Sequence, residues 1–170
     1  MGKVQNGFGN GAPGAVSRSI DNIIISIKNA SGGDIAFGAP VFMTENGAVP
    51  FSTASPQDFT EFLGFAVRSE DKTPDAYPTG QNNDSSSDGE CGAWHANDVM
   101  EVLVRGTLAV STTVSGSKGG GLYIRKTDGK LTGVPGSSGS TVQLENCHIR
   151  NPRNGYASTA EVVVNKRNII

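Results

Sequence analysis

Apolar and polar residues alternate along this chain in short runs, and no run keeps a helical period. The longest covers residues 98–110. Met100, Val102, Val104, Leu108 and Val110 share one face by period-two spacing, and Glu101, Arg105 and Thr107 take the other. That pattern predicts a long central strand, wet on one side. Residues 20–27 read as a first strand, with Ile23, Ile25 and Ile27 on one face and Ser26 and Lys28 opposite. Residues 29–34 form a turn. Residues 40–44 and 48–51 flank Glu45-Asn46-Gly47, and Asn-Gly is a strong hairpin signal. Residues 62–67 are apolar on both faces, a buried strand in which Gly64 permits a close backbone approach.

Further on, Gly119-Gly120-Gly121 leads into a strand over residues 122–125, and Asp128-Gly129 turns it back to Leu131. Residues 133–140 are a Gly/Ser loop. The last strands cover residues 141–150 and 156–166, and Val162-Val163-Val164 suits a strand covered on both faces. Some eight or nine short strands with glycine turns predict an all-β fold, an antiparallel β-barrel or β-sandwich. Residues 20–170 form this β domain. Residues 1–19 hold five Gly and one Pro without alternation, which predicts an extended N-terminal arm. Its Val4, Phe8, Pro13 and Val16 suit ordering on a neighbour better than solvation alone.

Composition and charge narrow the function. A chain of 170 residues suits one domain that folds without staples. The net charge of −2 argues against a general nucleic-acid binder. Residues 68–101 hold eight acids and two bases, so the polar stretch 68–97 is a long acidic loop. Tyr77 and Trp94 pin its two ends. With no run of ~20 apolar residues there is no membrane span, and with no apolar run after Met1 no signal peptide is expected. Two cysteines are too few for a disulfide framework, which fits free thiols and synthesis in a reducing cytoplasm.

Catalytic chemistry finds little support. Cys91-x3-His95 and Cys147-His148 offer four soft ligands, but no Cys-x2-Cys pair accompanies them. Cys147 and His148 also point to opposite faces if they lie on a strand. Residues 84–89 mimic the start of a calcium loop, yet its twelfth position is His95 where a bidentate Glu is needed. Only two histidines are available to act as a base, and there is no Gly-x-Ser-x-Gly elbow. No metal, cofactor or enzyme activity is expected.

The order of several segments carries more than any one of them. Gly11-Ala12-Pro13-Gly14-Ala15-Val16-Ser17-Arg18 comes first. Ile35-Ala36-Phe37-Gly38-Ala39-Pro40-Val41 and Phe62-Leu63-Gly64-Phe65-Ala66-Val67-Arg68 follow, then the strand at 98–110, Gly121-Leu122-Tyr123-Ile124 and Ala160-Glu161-Val162-Val163-Val164-Asn165. In this order and spacing the chain resembles the structural cement, or head decoration, proteins of tailed bacteriophages. The acidic loop departs from the family pattern. The resemblance implies a barrel-like fold, commonly a homotrimer, on the capsid exterior where major capsid protein subunits meet. It implies a virion protein without enzyme activity; the charge and the lack of a long apolar run are what speak against nucleic-acid and membrane partners. Val4, Phe8, Pro13, Val16 and Arg18 are the candidate capsid-binding residues of the arm. Two readings stay open beside it: another virion subunit of tail tube or head fibre, and a carbohydrate-binding module stacking sugars on Trp94 and Tyr77.

Overall fold

The computed structural model describes residues 11–52, 61–69, 92–113, 116–152 and 159–166, and every regular element among them is a strand. In chain order these are β1 (Val16–Lys28), β2 (Ile35–Ala36), β3 (Pro40–Thr44), β4 (Gly47–Pro50), β5 (Phe62–Ala66) and β6 (Ala93–Trp94). β7 (Val99–Ser111), β8 (Gly121–Arg125), β9 (Leu131–Thr132), β10 (Thr141–Asn151) and β11 (Thr159–Val164) complete the set. Both expected hairpins form, β3–β4 around Glu45-Asn46 and β8–β9 around Asp128-Gly129. The β2–β6 pair joins Ile35-Ala36, which the alternation leaves unassigned, to Ala93-Trp94 inside the expected loop.

β7 is the spine of a nine-stranded antiparallel sheet that curls on itself. β1 runs along one edge of β7, from Lys28 opposite Val99 to Val16 opposite Leu108. The other edge is shared. β5 pairs with its first half, through Phe65–Leu103 and Ala66–Val102, and β11 pairs with residues 106–111. The sheet therefore forks into one wing of β5, β3 and β4 and another of β11, β10, β8 and β9.

A forked sheet has two cores, and this corrects the expected face of the long strand. β7 alternates only from Val99 to Val102; from Leu103 to Val110 it is covered on both faces except at half-buried Arg105. Met100, Val102 and Val104 pack with Ile35 and Trp94. Leu108 and Val110, of the same parity, pack instead with Phe62 and Ile149. The phase resets at Gly106, where φ is 128° and the β1–β7 register shifts. Asn22 Oδ1 accepts the Thr107 N–H there at 3.2 Å, so the bulge is held by a side chain from β1.

β5 is fully buried, as its unbroken apolar run predicts. Its phenylalanines anchor the larger core: Phe62 meets Phe42 and Phe65 edge-on, with ring centroids 5.8 and 5.3 Å apart. Each buried ring contributes about 1.5–3 kcal/mol. Gly64 is needed for its size, since a Cβ there would lie 2.1 Å from the Leu103 carbonyl oxygen.

Candidate functional site

The arm expected over residues 1–19 joins the body sooner than its composition suggests. β1 starts at Val16 and not at Ile20. Before it, residues 12–15 turn sharply, with the Ala15 N–H donating to the Ala12 carbonyl at 3.0 Å. Pro13 supplies the fixed φ of the first central position and Gly14, at φ 77°, the left-handed second one. Three main-chain bonds then fasten the turn. Gly14 N–H donates to the Ala109 carbonyl at 2.8 Å, Ala109 N–H to the Ala15 carbonyl at 2.9 Å, and Arg68 N–H to the Gly14 carbonyl at 2.9 Å. A Cβ on Gly14 would stand 2.9 Å from both the Arg68 nitrogen and the Phe37 Cβ.

Of the candidate arm residues, Pro13 sits half-buried in this turn and Val16 is half-buried against the larger core. Arg18 lies in β1 opposite Thr107. Val4 and Phe8 lie outside the described residues. The beginning of β1 is tied across the sheet as well. Ser17 Oγ donates to Glu161 Oε1 at 2.7 Å, and the Asn151 amide donates to the other oxygen of that buried carboxylate.

The root of the arm is also the root of the acidic loop. Arg68, which bonds Gly14, lays its guanidinium 5.7 Å from the centroid of the Phe37 ring. Phe37 meets Trp94 edge-on at 6.1 Å, and Trp94 Nε1 donates to the Val67 carbonyl at 2.8 Å. Residues before and after the loop are thus held together, which is the pinning role expected of Trp94. Tyr77, like Cys91 and residues 84–89, lies outside the described residues. At 6% exposure Trp94 has no free face for a sugar, which removes the described half of the carbohydrate reading.

Alternation does not reveal Asn29. It is fully buried, and its amide donates to the carbonyls of Gly33, Trp94 and His95 at 2.8, 3.1 and 3.0 Å. Its Oδ1 accepts the Ser31 N–H at 3.0 Å, an Asx-turn that Asn-x-Ser-Gly-Gly announces locally. The partners 65 and 66 residues away are invisible to any local pattern.

Of the four soft-ligand residues, the three described ones, His95, Cys147 and His148, serve packing and surface contacts. Cys147 is buried in the larger core, and burial pushes its thiol far above the usual range. His148 is on the opposite face of β10, where the Asn165 amide donates to its Nδ1 at 2.8 Å. His95 Nδ1 lies 3.0 Å from Asp34 Oδ1 on the surface. Among the described residues no group of three His, Cys, Asp or Glu side chains is placed to hold a metal.

A family model described as structural cement protein, represented by E217 gp24 and Pam3 gp6, matches residues 2–165. The chain belongs to this family. A chain of the solved capsid of the Myoviridae phage XM1 has the same fold, with a TM-score of 0.67 at 17% identity. The match covers 97% of this chain and 96% of that one. Comparison with curated proteins gives no match. The cement protein is thus a structural component of the virion, with a role at the capsid.

Proposed function

We propose that the chain decorates the outer surface of a phage head and holds neighbouring major capsid protein subunits together. The family match over nearly the whole chain carries this reading. The fastened arm root supports it, because a stiff anchor lowers the entropy lost when the preceding residues order on a partner. In this reading Val4 and Phe8 make the apolar contacts with the capsid, while Pro13, Val16 and Arg18 fix where the arm leaves the body. Association as a homotrimer multiplies weak contacts, since each later contact is intramolecular. The acid-rich composition of the 68–97 loop supplies like charge that discourages particles from associating. The protein works without cofactor, catalysis, nucleic acid or membrane.

Co-sedimentation with isolated heads tests this. Full-length protein is expected to pellet with expanded heads and not with procapsids. Deleting residues 2–10 is expected to weaken attachment and leave the melting temperature unchanged. Undiminished binding by the truncated chain overturns the role of the arm.

A further inference from the structure

Among the described residues, the outer edge of β1 has no strand paired along its middle. Beyond its N-terminal turn β1 pairs with β7 alone. Asn29 N–H donates to the Asp98 carbonyl, so the main-chain groups of Ile25 and Ile27, of the same parity, also face β7. Those of Ile24, Ser26 and Lys28 face outward. Lys28 closes on β4, where its carbonyl oxygen would lie 2.5 Å from a Cβ on Gly47 and where Asn29 bridges Ala48. Ile24 and Ser26 are left on an unpaired edge.

That edge is apolar. Ile23, Ile25 and Ile27 pack on the smaller core but stay only half-buried, and Ile24 is 41% exposed. Open edges are normally blunted by proline or inward charge. Between Ile23 and Ile27 this strand has neither.

We infer that this edge pairs with the same edge of a second copy, antiparallel and centred on Ile25. Parity requires facing residues to be of one kind, both turned toward the partner or both away. Centring on Ile25 pairs Ile24 with the second copy's Ser26, and Ser26 with its Ile24, which uses the two open residues of each chain. The same register sets Ile23 against the other Ile27 and Ile25 against itself. The three half-buried isoleucines of each copy become one continuous apolar row, and Ile24 is covered on the other face. A contact of this kind is isologous and closes on a two-fold axis. It is separate from the capsid contact of the arm; on a trimer it joins one trimer to the next.

Cross-linking reads the register directly. Ile25 faces its copy as a non-hydrogen-bonded pair, with Cα atoms about 4.5 Å apart, within the range a disulfide spans. In a Cys91→Ser background, mild oxidation of Ile25→Cys is expected to give a covalent dimer on a denaturing gel. Ile23→Cys is expected to give none alone and a dimer when mixed with Ile27→Cys. Adding Ser26→Pro to Ile25→Cys removes an N–H that β7 does not use. It is expected to leave the melting temperature unchanged and to cut the dimer roughly tenfold, as losing main-chain hydrogen bonds implies. Failure of Ile25→Cys to self-link in a folded chain overturns the inference. If Ser26→Pro then weakens head attachment, the edge receives a capsid strand instead.

Discussion

Gly14 shows how much of this protein rests on individual positions. It supplies the left-handed turn, two main-chain bonds and the space for Phe37 and Arg68. Gly14→Ala is therefore expected to cost about 1–3 kcal/mol by overpacking alone, measured by denaturant unfolding. Trp94→Phe keeps the ring against Phe37 but strands the Val67 carbonyl, at a cost of about 1–3 kcal/mol. Cys147 gives a chemical readout. Its buried thiol stays protonated in the fold, whereas in the unfolded chain it ionises near the ordinary ~8.5. Native protein then keeps a proton that unfolded protein loses, so this group makes stability fall as pH rises above that value. In a Cys91→Ser background, alkylation at pH 8 is expected to label nothing in native protein and one site after unfolding. Gly64 and Trp94 were both legible in the sequence, one from glycine inside an apolar run and one from a lone aromatic at a loop end. Asn29 and Glu161 were not, because each meets partners brought from far along the chain by the fold.

At the scale of elements, period-two alternation located both hairpins and the strands other than β2 and β6, since turn residues and strand faces are local properties. It failed where two strands share one edge of a third. Nothing local in 98–110 says that β5 takes the first half of β7 and β11 the second, so the change of core at Gly106 could not be read. The start of β1 was missed for a related reason. Val16 and Ser17 are held by pairing with Leu108, by Glu161 and by the larger core, not by their own propensity. Since Gly106 sets the phase at φ 128°, Gly106→Val is expected to lower the midpoint of urea unfolding more than Val99→Ala at the exposed start of the strand. Equal shifts would contradict the phase-resetting role of the bulge.

For the molecule as a whole, the two segments that composition marks as unusual emerge at one place. The turn at Pro13-Gly14, Arg68, Phe37 and Trp94 form a continuous chain of contacts, so arm and acidic loop share a rigid base. In the proposed function that base sets the direction in which the arm leaves the body. The most direct test is cryo-electron microscopy of the native phage head. Density matching this forked sheet is expected on the outside of the shell, seated where major capsid protein subunits meet. Heads whose outer surface shows no such density, with the protein recovered only from the lysate, would contradict the proposed function.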